Sequence, residues 1–488
     1  RLMRAARLIL PLLALAVLPG TAAAGHVAKT ARQPVLVTIT STPALYPAFS
    51  PAVHDYVVRC TGGTHTRFTT RAAAGTTPWI AGRPRRTASL RFHAGQGVTI
   101  EGRSAAGTVD YHVRCLPADF PAFTETRAAA TKDWYLATPS LAIGQPGGHY
   151  VVVFDGNGVP VWWYRAATSP IDAKLMPGPT IAWASFPVDS PQYALHRLDG
   201  TIASTVVSPD GWIDDHDLQR DKDGNYYYLV YRPKPGVDLT EYGGPADATV
   251  LEAEIEEVSP SGQLRWSWTS DGKVALSASA RWMETIVGST VTTANGEVTY
   301  DVYHPNAISL DGNTILLSMR YTDSVFAIDR TTGDILWKLG GTPTPQSLTV
   351  VGDQYGQVPF GGQHDVRVQP DGTISAFDDA TGLYRPPRAV RYAIDTTART
   401  ATLVESVSDP AVTGSICCGS ARRLVDGDWV ISWGGDPVFG EYRPDGTPVF
   451  KIAFTGSLFS YRVAPVAPGR LKIEALRAGM DAMFKGSG

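Results

Sequence analysis

Three histidines stand at one offset in this chain. His216, His304 and His364 each lie seven residues before an Asp-Gly pair, at Asp223-Gly224, Asp311-Gly312 and Asp371-Gly372. They are 88 and 60 residues apart, too far for a local motif, so only a repeated fold can bring them together. Asn306 follows His304 by two residues and shares its strand face. Arg320 ends the run Ile315-Leu316-Leu317-Ser318-Met319, where a hairpin partner returns toward the same end. Arg, Asn and two imidazoles suit a tetrahedral anion, offering planar donors and ring N–H groups to its oxygens. The third imidazole is then a nucleophile or general base. Burial and a neighbouring Arg both favour its neutral, nucleophilic form. Three histidines also fit a catalytic zinc site, but a guanidinium beside them repels a metal. A packing role, as for the histidine of some propeller repeats, is the structural alternative. Asp217 and Asp365 directly follow two of the histidines, and strand alternation turns them away into a structural role. At the same offset from Asp426 the later repeat has Gly419, which opens space.

The elements that must position these groups are strands. The 488 residues include 48 Gly and 36 Pro, more than an average chain carries, and this favours many short strands over helical bundles. Asp-Gly turns between apolar runs recur from Phe154-Asp155-Gly156 to Asp445-Gly446-Thr447, a hairpin signal repeated at intervals. Phrases leading to Trp266 and Trp337 add a buried tryptophan to the unit. The expected fold is therefore all-β, a six-bladed β-propeller over residues 134–465, with Ser460–Pro465 closing the ring near Trp134. Matching strands of its blades converge on one axis, which carries the three histidines to one channel mouth.

Alternating runs over residues 35–116 predict a small N-terminal β-sandwich, with Cys60 and Cys115 bridged. Cys417 and Cys418 are adjacent, and a vicinal disulfide and two free thiols both remain open. Residues 117–133 read as a linker and 466–488 as a helical tail. Arg1, Arg4 and Arg7, an apolar run from Leu8 to Leu18 and Ala22-Ala23-Ala24 read as an export signal over residues 1–24. The apolar run is too short to span a bilayer, so an exported protein without a membrane span is expected. The net charge of −3 argues against a nucleic-acid partner.

At Asp215-His216-Asp217, Tyr303-His304-Pro305-Asn306, Ser318-Met319-Arg320 and Gly362-Gln363-His364-Asp365 the sequence resembles the arylsulfate sulfotransferases that use no nucleotide donor. The resemblance implies ping-pong transfer of a sulfuryl group between phenols through a sulfohistidine. His364 matches the nucleophile of that family. His216, His304, Asn306 and Arg320 match the groups that hold the sulfuryl oxygens, one histidine also protonating the leaving phenolate. Aryl sulfates and phenols are then the partners, with no cofactor and no metal; the oligomeric state stays open, a homodimer included. The rival readings are a metal-dependent propeller hydrolase with three histidine ligands, a quinoprotein dehydrogenase and a non-catalytic ligand-binding propeller.

Overall fold

Apolar runs separated by Asp-Gly turns fold as antiparallel hairpins along most of the chain. The computed structural model describes residues 33–485, apart from 61–64, 92, 142–146, 187–191, 210–212, 288–289, 293–295 and 457. The export signal expected over 1–24 lies outside the described residues. The fold is all-β, with a helix at Ile473–Met483 and a shorter one at Trp282–Val287. Gly224 and Gly372 sit at positive φ in their turns, the conformation for which the Asp-Gly pairs were read. In the Asp155-Gly156 turn the left-handed residue is instead Gly158, two positions later.

Two sheets form the N-terminal unit. Leu36–Thr42, His65–Ala72 and Thr87–Arg91 make one, and five strands from Asp55–Arg59 to Gly107–Leu116 make the other. Leu36, Ile39 and Phe68 of the first share a core with Tyr56, Ile100 and Val113 of the second. Alternation produces this packing: in His65–Ala72 every second residue is buried. Cys60 and Cys115 are disulfide-bonded across the second sheet, as their positions predict.

Among the described residues six further sheets follow, and each contributes one inner strand. In chain order these are Ser169–Met176, Ile213–Arg220, Pro305–Asp311, His364–Val368, Ser420–Arg423 and Leu458–Val466. Each packs beside the next, and Leu458–Val466 returns to pack beside Ser169–Met176. Leu458–Val466 pairs with Trp134–Leu141, so the end of the repeated region completes the sheet that began it. The second strands are apolar on both faces, because sheets cover them from either side. Ile315, Leu316, Leu317, Ser318 and Met319 are all buried.

The stretch expected to be a linker departs from that reading. Residues 123–127 form a strand that joins Pro448–Phe454 at the edge of the sheet that begins with Ser420–Arg423. Phe123 explains it, since its ring packs edge-on against Phe154 and Phe454. In the tail, Leu476 and Met480 are buried, and Arg477 pairs with Asp55 of the N-terminal unit at 2.6 Å.

Where the six inner strands meet, the filling is ionic rather than apolar. Asp217 pairs with Arg367 and Lys174, both at 2.7 Å. Asp172 pairs with Lys174 at 2.6 Å and with Arg462 at 2.7 Å. Asp365 pairs with Arg422 at 2.6 Å and Arg367 at 2.8 Å. Backbone groups complete the set: Ile308 N–H donates to Asp217, and Arg462 donates to the Asn306 carbonyl. All six inner strands are thereby joined. Deleting one cation from a buried network leaves an anion uncompensated, which costs far more than the pair contributes. Arg462→Met is expected to lose about 3–5 kcal/mol of unfolding free energy in a denaturant titration. A loss below about 1 kcal/mol would match an exposed pair and contradict this account.

Candidate functional site

The inner strands carry the site at irregularities in their pairing. Strand register shifts between Ile213 and Leu218, between Pro305 and Ala307, and between His364 and Arg367. Each shift falls at or beside one of the three histidines, and such bulges re-aim side chains. His304 has φ +52° and Asp365 +57°, left-handed values seldom adopted without glycine. The backbone around them is held by specific bonds. Asp301 accepts the His304 N–H at 2.9 Å, and the Arg320 N–H donates to the His304 carbonyl at 2.8 Å.

The three histidines do come together. The His216 and His304 rings lie 4.8 Å apart, nearly perpendicular. Tyr461 bridges toward the third: its ring is 5.7 Å from His216 and 6.5 Å from His364. Arg320 is near enough to be the strongest charge acting on His364, and it donates to the Ile416 carbonyl at 3.0 Å. Asn306 is fully buried, and one of its amide N–H groups donates to the Gln363 carbonyl at 2.8 Å. That bond falls on the residue before His364, so Asn306 positions the His364 backbone. Asp217 and Asp365 lie in the ionic network, in the structural role alternation assigned them.

Each histidine has a carboxylate on Nδ1 that the spacing argument did not name. Asp214 lies 2.8 Å from His216, Asp301 2.5 Å from His304 and Asp379 2.7 Å from His364. Asp214 and Asp301 were within reach of sequence reasoning, two and three residues before their partners. Asp379 is fifteen residues away and arrives only through the hairpin that pairs His364 with Phe377. The Gly362 carbonyl also lies 2.9 Å from His364 Nδ1. A carbonyl can only accept, so Nδ1 carries the hydrogen and Nε2 keeps its lone pair.

Charge separates the three rings. Burial holds His364 well below the usual histidine range, and Arg320, His304 and His216 push the same way. Burial also lowers His304, against the pull of Asp301. For His216 burial again opposes the charge, but Asp214, Asp215 and Asp301 outweigh it and raise the ring to about 9. Burial lifts the Asp379 carboxyl well above its ordinary range, against the pull of Arg320. The site therefore offers a neutral, oriented imidazole beside two cations, His216 and Arg320. That set can hold an oxyanion and deliver a nitrogen nucleophile to its centre.

A cavity of about 580 Å³ opens beside His216. Ile171, Phe186, Ile416 and Phe459 wall it, together with Tyr461. Cys417 and Cys418, which also line it, are disulfide-bonded to one another. This resolves the alternative the sequence left open.

Comparison with known proteins follows this geometry. A model of the arylsulfotransferase (ASST) family matches residues 191–455. No curated protein matches the chain. Among solved structures, a protein of unknown function from Bacteroides caccae is 14% identical with a TM-score of 0.39, covering 68% of this chain and 99% of its own. A gluconolactonase from Xanthomonas campestris is 11% identical with a TM-score of 0.34, covering 68% and 89%.

The His216 shift has a measurable consequence for stability. A proton held to about pH 9 contributes fully below the unfolded histidine pKa and is lost as pH rises through 9. Unfolding free energy is expected to fall by roughly 2–3 kcal/mol between about pH 6.5 and 9.5, beyond any fall seen in His216→Gln. Superimposable profiles for the two proteins would show that His216 titrates normally.

Proposed function

The chain belongs to the arylsulfotransferase family, and on that premise we propose that it transfers a sulfuryl group from an aryl sulfate to a phenol through His364. In the first half, His364 Nε2 attacks the sulfur, the S–O bond to the aryl group breaks, and its electron pair leaves on the phenolate oxygen. In the second, a phenol oxygen attacks the same sulfur and the N–S electron pair returns to Nε2. Arg320 and protonated His216 hold the sulfuryl oxygens, with His304 beside them. Such transfers depend on in-line placement and on countering charge at the equatorial oxygens more than on covalent help.

The observation that carries this reading is the state of His364. It is buried, its Nδ1 is bonded to Gly362 and Asp379, and burial together with the charge of Arg320 favours its neutral form. The apolar cavity beside His216 supplies flat walls for an aromatic ring. We read the six sheets, whose inner strands follow one another in a circle, as the six blades of a propeller spanning 134–465. Residues 35–116 are read as a β-sandwich placed before it, with 466–488 as a tail. The two disulfides and the family fit an exported protein, and 1–24 would be its signal. No helix among the described residues is long and apolar enough to cross a membrane.

One observation favours a second reading. All three histidines have Nδ1 held by a carboxylate, the arrangement that commonly orients imidazoles toward a metal. A metal-dependent hydrolase would use that geometry, although Arg320 and a protonated His216 both oppose a cation.

Nitrophenol release from nitrophenyl sulfate decides between them. Added phenol is expected to accelerate release, chelator to leave it unchanged, and His364→Asn to lower it by at least about a thousandfold at unchanged melting temperature. Wild type denatured at alkaline pH, where an N-sulfuryl imidazole survives, should carry the mass of one sulfuryl group on a peptide containing His364. Release that ignores phenol and stops with chelator would replace the transferase reading with the metal one.

A further inference from the structure

A ping-pong exchange between phenols moves a proton as well as a sulfuryl group. The acceptor arrives as a hydroxyl and attacks well only as it loses that proton, and the departing phenolate needs one. His216 borders the cavity but already holds its proton to about pH 9, so it suits a fixed cation. His304 and His364 do not line the cavity.

Two other polar groups do. Asp215 and Tyr461 line the same cavity, and both are at least nine-tenths buried. Asp215 Oδ2 and the Tyr461 hydroxyl oxygen are each fully buried with no hydrogen-bond partner among the described residues. Leaving a buried polar atom unpaired is costly, and such atoms are few in folded proteins. Here two belong to side chains that line one cavity, and they differ in kind. One is a carboxylate oxygen, which accepts, and the other is a phenol, which donates. A bound hydroxyl would satisfy both at once.

We propose that Asp215 and Tyr461 handle the phenolic hydroxyl in this cavity, Asp215 Oδ2 exchanging its proton while the Tyr461 O–H holds its oxygen. The proposal rests on the reading of the site as a phenol-to-phenol sulfuryl carrier. In the acceptor half, the phenol O–H bond breaks toward Asp215, the freed oxygen pair forms the S–O bond, and the N–S pair returns to His364. Protonated Asp215 then gives that proton to the oxygen of the next departing phenolate, so the cycle needs no other proton source.

The surroundings suit an exchangeable proton. Burial raises the Asp215 carboxyl to about 7; His216 pulls it down, while Asp214 and Asp172 push it up. From the neighbouring strands Tyr193 donates to the Asp215 carbonyl, and Tyr461 and Tyr231 sit within electrostatic reach. Tyr461 itself is kept a neutral donor, since burial raises its hydroxyl far above the usual range.

Leaving-group basicity tests the assignment. Nitrophenolate departs without help, whereas unsubstituted phenolate needs a proton. In Asp215→Asn the rate loss is expected to grow from about threefold or less with nitrophenyl sulfate to about a hundredfold with phenyl sulfate. The same steepening should appear across acceptors, from acidic nitrophenols to phenol. Tyr461→Phe should raise the acceptor KM about tenfold without lowering the melting temperature. A loss in Asp215→Asn that is equal for all phenols, or absent for all, overturns the proposal. If that variant does not accumulate, the wild type still answers: a solvent deuterium effect on transfer to phenol above about 1.5 supports it, and one of unity overturns it. A wild type that moves no sulfuryl group from any aryl sulfate overturns the proposed function itself, a result distinct from a flat profile in the variant.

Discussion

The site depends on a buried ionic network where the six inner strands meet. Asp172, Asp217 and Asp365 are each held by two or more of Lys174, Arg367, Arg422 and Arg462. Networks of this kind add little net stability, because desolvation offsets most of the Coulomb attraction. What they supply is direction. An apolar filling would let neighbouring strands slide, whereas each ion pair is satisfied at one register only. The backbone of Ile308 and Asn306 enters the same network, so even the strand that contributes no charge is tied to it.

That network also explains the chemistry above it. Four cations face three carboxylates, and Arg462 is among the charges that lower His364. The residual positive field, with Arg320, favours the neutral imidazole there. His216 experiences the opposite balance because Asp214, Asp215 and Asp301 crowd it. Two histidines at equivalent repeat positions are thus pushed in opposite directions, His364 down by burial and the cations around it and His216 up by the carboxylates that crowd it.

The fold class was legible because turn chemistry and alternation are local properties. The run from Ile315 to Met319 read as a hairpin strand and is one, buried throughout. The 117–133 segment was misread for the converse reason. Its strand is short and half-exposed, and only pairing with residues more than three hundred positions away identifies it. The site shows the same division. His216, His304, Asn306, Arg320 and His364 could be picked out by spacing, but Asp379 returns along the partner strand of the His364 hairpin, and Tyr461 and the Cys417–Cys418 wall come from elsewhere in the chain.

By itself the sequence determined which residue types recur at equivalent places, and hence that three imidazoles and a guanidinium would share a site. Repeat spacing survives folding, because each hairpin unit takes the same local shape. Protonation states, the carboxylate behind each ring and the unspent oxygens of Asp215 and Tyr461 were decided by tertiary structure alone. They follow from desolvation and from charges a few ångströms away in space, and neither quantity is a function of distance along the chain.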